Sequence, residues 1–223
     1  MKPHGSTDGL AWGVVLCGGQ SQRMGSDKAA LPHPTGGNYL EYAINRLLVL
    51  CDCVVVAGRQ HMKPTDNAAL ATAIDHQRVV CLPDAEPQLG PLAGVVGAMQ
   101  FVLQRSPQVE AGKGSLDSSA LIVTPVDMPA LATEDLQSLW RSWCEEVDRQ
   151  QPTVATFDGQ QIEPLVGVYP LGLSDELREW LTTASRSLWR WLQQRPHHLC
   201  QLSPTAAANI NTPSERKRYE KHD

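Results

Sequence analysis

The sequence has no strong excess of either charge. Its 223 residues carry 19 Lys+Arg and 24 Asp+Glu, for a formal net charge of −5. A mild acidic excess provides no electrostatic attraction for duplex nucleic acid or for an anionic lipid surface. We therefore expect neither nucleic acid nor a membrane as the main partner, whereas a small anionic ligand held by local donors is compatible with this charge.

The sequence also lacks a long apolar run. Residues 1–9 are polar, and the apolar run that follows, over 10–17, is interrupted by Gly13. A membrane-spanning helix needs about 20 predominantly apolar residues, and a signal peptide needs an uninterrupted apolar stretch. We expect neither feature, and we interpret residues 1–10 as a polar N-terminal extension and residues 11–223 as a single domain.

The cysteines lack the spacing of a metal or redox motif. No pair is separated by two residues, and the six are Cys17, Cys51, Cys53, Cys81, Cys144 and Cys200. We interpret them as reduced core thiols, which favours a cytoplasmic protein. His197 and His198 are adjacent, so on a strand their side chains point to opposite faces and do not form a ligand pair.

What the sequence contains is a regular alternation of strands and helices. Short apolar runs predict strands over 13–17, 53–57, 78–82 and 120–124. Helical spacing predicts helices between them, and Asn38 is predicted to cap the first. Residues 106–119, rich in glycine and serine, are interpreted as a surface loop.

The second half of the chain predicts an antiparallel element among further helices. Thr133 is predicted to cap a helix that runs to about Arg149. Apolar runs over 154–157 and 162–169 flank Asp158-Gly159, a pattern typical of a β-hairpin. The predicted fold class is therefore α/β, with a mostly parallel, mixed sheet covered by helices on both faces.

Three predicted loops follow strands of this sheet and are rich in polar residues. They cover 18–28, 83–90 and 125–129. Ligands of open α/β sheets bind beyond the carboxyl ends of the strands. We therefore expect the functional residues to cluster in these loops.

The first loop has the composition of a phosphate-binding segment. It contains three glycines together with Arg23 and Lys28, and glycines allow backbone N–H groups to approach phosphate oxygens closely. Ala29 follows Lys28 where a P-loop has Ser or Thr, and the glycine spacing is not that of a dinucleotide-binding fingerprint. An ordinary surface loop is the alternative interpretation.

The other two loops each contribute an aspartate. Asp127 follows an apolar strand directly, and a single strong carboxylate suffices for Mg²⁺, which takes its remaining ligands from water and substrate phosphates. The alternative is that Asp127 only caps a turn. Asp84 is open to both interpretations, as a cap or as a ligand contact.

These residues belong to a series of motifs that resembles the molybdenum cofactor guanylyltransferases. The resemblance covers about residues 11–218. In chain order the motifs are Leu16-Cys17-Gly18-Gly19, Arg23-Met24-Gly25, Asp27-Lys28, Asp84 with Gly90-Pro91-Leu92-Ala93-Gly94, Pro125-Val126-Asp127-Met128-Pro129, and Asn209-Ile210-Asn211-Thr212-Pro213.

The resemblance implies a three-layer α/β/α, Rossmann-like nucleotidyltransferase that requires Mg²⁺. It implies transfer of GMP from GTP to the phosphate of molybdopterin, with release of pyrophosphate, and contact with molybdopterin-delivering or molybdoenzyme-maturation proteins. Implied nucleotide contacts are Leu16, Cys17, Gly18, Gly19, Arg23, Lys28, Asp84 and Asp127. Arg23, Lys28 and Asp127 take catalytic roles, Asp127 holds the metal, and Asn209 and Asn211 lie near the pterin.

Related families leave other functions open. Similar glycine loops and metal-binding aspartates occur in cytidylyltransferases that act on molybdopterin or methylerythritol phosphate, and in sugar-phosphate nucleotidyltransferases. A non-catalytic nucleotide-binding or pterin-binding regulator is a further alternative, which the presence of both Lys28 and Asp127 disfavours. The predicted chemistry needs no general base, because an attacking phosphate is already ionised near neutral pH.

Overall fold

Seven strands form a single mixed sheet in the computed structural model, which describes residues 10–17, 27–63, 65–84, 89–105, 119–159 and 161–207. The strands are β1 (Leu10–Leu16), β2 (Cys53–Ala57), β3 (Val79–Leu82), β4 (Ser119–Pro125), β5 (Thr153–Thr156), β6 (Ile162–Pro170) and β7 (His198–Gln201). Their order across the sheet is β3-β2-β1-β4-β6-β5-β7. Strand β6 runs antiparallel to both of its neighbours, and the remaining neighbouring strands are parallel.

Helices cover both faces of this sheet. Those of the described residues are α1 (Tyr39–Leu48), α2 (Ala68–Asp75), α3 (Pro91–Arg105), α4 (Thr133–Glu145), α5 (Ser174–Leu181) and α6 (Leu188–Leu192). One core packs α1, α2 and α4 against the sheet, and the other packs α3, α5 and α6 against the opposite face. The predicted three-layer α/β architecture is confirmed.

The central strands are apolar because they are buried on both faces. Val14 and Val15 of β1 point to opposite faces, and each has no exposed surface. All seven residues of β4 are buried as well. This explains why these strands appear in the sequence as continuous apolar runs without polar alternation.

Asn38 caps α1 as predicted, and Pro91 begins α3. The Asn38 side chain accepts from the backbone N–H of Glu41 at 3.0 Å, and the Glu41 carboxylate accepts from that of Asn38 at 3.1 Å, which completes a capping box. Helix α3 begins at Pro91, directly after Gly90, whose φ of +75° is a left-handed conformation that favours glycine.

The prediction for α4 was wrong at both ends. Ala132 is the N-cap residue and Thr133 is the first helical residue, because the Asp135 carboxylate accepts from the Ala132 N–H at 2.9 Å and performs the capping. At the other end Glu146 adopts an extended conformation, so the helix stops before Arg149. The Arg149 guanidinium donates to the Cys144 carbonyl at 2.6 Å and satisfies this helix end.

The carboxyl ends of the first four strands meet at one edge of the sheet, which we call the C-edge. Leu16 of β1 is in register with Ala57 of β2 and with Pro125 of β4, and Ala57 is in register with Leu82 of β3. The predicted loop over 106–119 lies outside the described residues except for Ser119, which begins β4. No helix in the described parts of the chain is long and apolar enough to cross a bilayer.

Candidate active site

Backbone hydrogen bonds extend the sheet one residue beyond the strands at the C-edge. The Cys17 N–H donates to the Ala57 carbonyl at 2.9 Å, and the Val126 N–H donates to the Leu16 carbonyl at 3.1 Å. These bonds fix the main chain on both sides of β1. Asp127 follows Val126 directly, so the sheet fixes the position of the main chain from which the Asp127 side chain extends.

Lys28 and Asp127 form an ion pair at this edge. The Lys28 Nζ lies 2.8 Å from Oδ2 of Asp127, although the two residues are 99 positions apart in the chain. Their side chains are 16% and 21% exposed, so the pair is only partly screened by water. Lys28 begins a short 3₁₀ turn, Lys28–Ala30, and its side chain reaches the carboxylate of Asp127 after β4.

Side chains of α1 and of the segment before it hold the loop that contains Asp127. The buried Arg46 guanidinium donates to the carbonyls of Met128, at 3.3 Å, and of Leu131. The buried His33 ring stacks on Tyr42 with 3.6 Å between ring centroids and hydrogen bonds to the Pro129 carbonyl at 3.3 Å. The loop after β4 is therefore fixed to the fold, which positions the Asp127 carboxylate.

Glu163 is a second carboxylate near Asp127, and no sequence motif indicated it. It lies near the start of β6, which runs antiparallel to β4, with Val123 paired to Gly167. Burial raises the pKa of the Glu163 carboxyl, a backbone hydrogen bond from Leu165 opposes this change, and the negative charge of Asp127 adds to it. The two carboxylates are therefore electrostatically coupled across the β4–β6 boundary.

A second ion pair lies on the other side of β1. The Arg59 Nη2 is 2.5 Å from Oδ2 of Asp27, directly before the turn that carries Lys28. The positive charge of Arg59 also favours the ionised form of the Cys17 thiol. Burial raises the pKa of Cys17 to about 12, which outweighs the opposing effect of the Arg59 charge, so Cys17 is a neutral thiol at neutral pH and not a nucleophile.

The structure brings together some of the predicted residues. The C-edge joins Cys17, Lys28 and Asp127, whereas the Leu16 side chain is buried in the core beneath α3. Asp84 lies half-buried just after β3, and the residues of the turn that it would cap lie outside the described residues. Predicted site residues that lie outside the described residues are Gly18, Gly19, Arg23, Asn209 and Asn211.

The donor set at the C-edge suits a magnesium ion. Asp127 supplies hard carboxylate oxygens, and within the described residues its Oδ1 accepts no hydrogen bond. Glu163 adds negative charge nearby. The part of the chain that the structure describes contains no cluster of three or more metal-ligating side chains. A site of this type therefore needs water and substrate phosphates to complete an octahedron, which is how proteins commonly hold Mg²⁺.

The amino-acid sequence matches a known family. A model described as "MobA-like NTP transferase domain" matches residues 13–199. A "probable molybdenum cofactor guanylyltransferase" of Rhodopirellula baltica is 32% identical over 217 residues, which are 96% of this chain and 92% of the relative. The similarity therefore extends over nearly the full length of both chains.

Solved structures share the fold. The molybdopterin-guanine dinucleotide biosynthesis protein A of Archaeoglobus fulgidus aligns with a TM-score of 0.65 at 19% identity, covering 95% of this chain and 97% of that one. The 2-C-methyl-D-erythritol 4-phosphate cytidylyltransferase of Francisella tularensis aligns with a TM-score of 0.63 at 10% identity, covering 96% and 99%. At these identities the likeness concerns the fold alone, and the fold is common to neighbours named for different substrates.

Proposed function

Because this chain belongs to the MobA-like NTP transferase family, we propose that it transfers GMP from GTP to the phosphate of molybdopterin and releases pyrophosphate. The observation that carries the proposal is the Lys28–Asp127 pair, 2.8 Å apart at the C-edge. The name of the Rhodopirellula baltica relative supports guanine as the base and the molybdenum cofactor as the acceptor.

The reaction is a displacement at the α-phosphorus of GTP. An ionised phosphate oxygen of molybdopterin forms the new bond to this phosphorus, and the bond from the α-phosphorus to the bridging oxygen breaks. Pyrophosphate leaves with that electron pair. Because the nucleophile is already an anion, the protein has to align the two phosphates and neutralise charge, and it needs no general base.

Lys28 and Asp127 suit this charge neutralisation. The Lys28 ammonium has three donors, so it can keep one hydrogen bond to Asp127 and still donate to phosphate oxygens. Asp127, with Glu163 beside it, would hold Mg²⁺, which supplies Lewis-acid stabilisation of charge developing on the phosphates. The ion pair keeps both side chains satisfied until substrate arrives, since each is largely withdrawn from water.

The other predicted residues complete the proposal. We assign Arg23 and the glycine backbone of Gly18 and Gly19 to the phosphates of GTP, since a guanidinium fork and free N–H groups both suit phosphate oxygens. Leu16, through its backbone, and Cys17 and Asp84 are assigned to the nucleoside, whereas Asn209 and Asn211 are assigned to the pterin.

The remaining interactions follow from the substrates. We propose that the protein works in the cytoplasm, which is supported by six free cysteines, since disulfides are rare in reducing compartments. Molybdopterin-delivering and molybdoenzyme-maturation proteins are the proposed protein partners. Nucleic acid and membranes are not.

The experiment compares GTP with CTP as donors. The purified protein is incubated with molybdopterin, Mg²⁺ and each nucleotide, and both pyrophosphate and the dinucleotide product are measured. We expect product with GTP, and we expect Asp127→Asn to lose at least about 10²-fold in turnover while still binding nucleotide. Asp175→Asn, which alters an exposed carboxylate on α5, is the matched control and should retain normal turnover.

Three outcomes would contradict the proposal. Preferential transfer from CTP would make the protein a cytidylyltransferase. Nucleotide binding without pyrophosphate release would favour a binding protein. Full turnover by Asp127→Asn at the same Mg²⁺ concentration would remove the metal-binding role from Asp127.

A further inference from the structure

Arg59 directly follows Gly58 after β2 and has no part in the reaction described above. Its main chain is fixed, because the backbone N–H groups of Gly58 and Arg59 both donate to the Leu82 carbonyl, at 2.8 and 3.2 Å. The side chain is 18% exposed, although arginine side chains usually extend into solvent. The guanidinium therefore starts from a fixed point at the C-edge and remains largely covered.

The Arg59 guanidinium, which follows β2, binds the carboxylate of the residue directly before Lys28. Its Nη2 lies 2.5 Å from both carboxylate oxygens of Asp27. A planar guanidinium with several donors can hold two acceptors in fixed directions, which a lysine ammonium on a flexible stem does less well.

Asp27 in turn determines the conformation of the turn that carries Lys28. Its Oδ1 accepts from the Ala29 N–H at 3.1 Å, and it is the N-cap residue of the turn Lys28–Ala30. A cap with a side-chain acceptor orients the first residues of such a turn. The Lys28 Nζ then reaches Asp127 at 2.8 Å. The contacts thus run from Arg59 through Asp27 to Lys28.

We propose that Arg59 is a positioning residue, which holds Asp27 and thereby fixes the turn that presents Lys28 to Asp127. The proposal rests on the proposed function, since it gives Arg59 an effect on turnover through Lys28. An ion pair with a carboxylate that is 43% exposed contributes little to global stability, so a loss of turnover would not be explained by unfolding.

The first test compares Arg59→Gln, Arg59→Lys and a control. Arg178→Gln removes a surface ion pair of 2.8 Å on α5, remote from the C-edge. We expect Arg59→Gln to lower kcat by about 10-fold to 100-fold, because small displacements of a catalytic group are costly. Arg59→Lys should recover part of this loss, and Arg178→Gln should match the wild type. A normal kcat for Arg59→Gln would overturn the proposal.

A double-mutant cycle with Lys28→Ala separates positioning from a direct role. If Arg59 acts through Lys28, Arg59→Gln should change kcat less than about twofold when Lys28 is already alanine. If the two losses multiply instead, Arg59 acts on the substrate independently of Lys28, and the positioning role is wrong.

A measurement without substrate keeps this test distinct from that of the proposed function. NMR hydrogen exchange of the Ala29 amide reports on the cap, and we expect it to accelerate roughly 5-fold in Arg59→Gln, as loss of a cap of about 1 kcal/mol implies. The Leu70 amide, capped by Asn67 at 3.0 Å, is the control and should not change. An unchanged Ala29 exchange rate overturns the role of Arg59, whereas absence of transfer by the wild-type protein overturns only the proposed function.

Discussion

Replacing Lys28 with methionine removes its positive charge and retains most of its length and apolar stem. The ammonium is 2.8 Å from Asp127, and both side chains are mostly covered. Two effects are therefore expected, one on stability and one on turnover. They have different magnitudes and can be measured separately.

The stability effect should be modest. Loss of the ion pair leaves a carboxylate that is 21% exposed without its counter-ion. Exposed pairs contribute up to about 1 kcal/mol, whereas breaking a fully buried pair costs about 3–5 kcal/mol. For this partly exposed pair we expect Lys28→Met to lower the free energy of unfolding by about 1–2 kcal/mol. This loss corresponds to a fall in Tm of roughly 2–8 °C for a chain of this size.

The effect on turnover should be larger. A preorganised donor aimed at charge that develops in the transition state contributes about 3–4 kcal/mol, so Lys28→Met should lose about 10²-fold to 10³-fold in kcat. Lys63→Met, at an exposed position between β2 and α2, is the matched control and should change neither quantity. The assay is pyrophosphate release with saturating substrates, combined with thermal unfolding of each variant.

The ratio of the two effects decides the role of Lys28. If Lys28→Met melts several degrees lower and yet retains kcat within about threefold of wild type, Lys28 is a structural counter-ion for Asp127 and does not act on the phosphates. If kcat falls at a temperature where the variant is fully folded, the loss belongs to the chemical step.

Three further predictions follow from burial and packing. The pKa of the Glu163 carboxyl is raised in the folded protein, so stability is lost as pH rises and this carboxyl ionises. Glu163→Gln should therefore be more stable than wild type at about pH 7.5. Urea unfolding should show this difference in stability shrinking below about pH 4.5. Gly97→Ala should stabilise α3 by up to about 1 kcal/mol, since an added Cβ meets nothing within 4 Å. The free energy of unfolding of Gly94→Ala should be about 1–3 kcal/mol lower than that of Gly97→Ala, because the Cβ added at position 94 would be 3.2 Å from the Ala57 Cβ. Because its pKa is about 12, Cys17 should react with iodoacetamide at pH 8 roughly 10³-fold more slowly than free cysteine, measured by peptide mass spectrometry, and a comparable rate would show that it is exposed.

The part of the fold predicted from the sequence is the part that local patterns determine. Apolar runs located β1 to β4, although β1 begins at Leu10, three residues before the predicted run, and ends at Leu16. Asn38 and Glu41 are close enough in the chain to specify a capping box without tertiary contacts. Parallel order then brought Lys28 and Asp127 to one edge, as the rule for carboxyl ends predicts. Thr133 was predicted as the N-cap because threonine is a favoured N-cap residue and alanine is not. The hydrogen bond from the Ala132 N–H to Asp135, which goes with the Ala132 cap, is seen only in the structure.

Glu163 shows where that rule stops. The rule indicates only loops that follow strands, because parallel strands end at the same edge of the sheet. Strand β6 runs the opposite way beside β4, so its beginning lies at the C-edge, and Glu163 occupies that beginning. A sequence search in an α/β protein with an antiparallel strand should therefore include residues at the start of that strand.

The order of Asp27 and Lys28 has a topological explanation. Asp27 caps the turn Lys28–Ala30, so it lies next to Lys28 in the chain, yet the two side chains face different neighbours. Asp27 pairs with Arg59 after β2, whereas Lys28 pairs with Asp127 after β4. Strand β1 lies between β2 and β4, so the dipeptide connects both of its neighbours across it. Exchanging the two residues would preserve composition and net charge but would place each side chain against a like charge, which is destabilising in partly buried surroundings. The sheet order, and not the number of charges, therefore requires an acid followed by a base at these two positions.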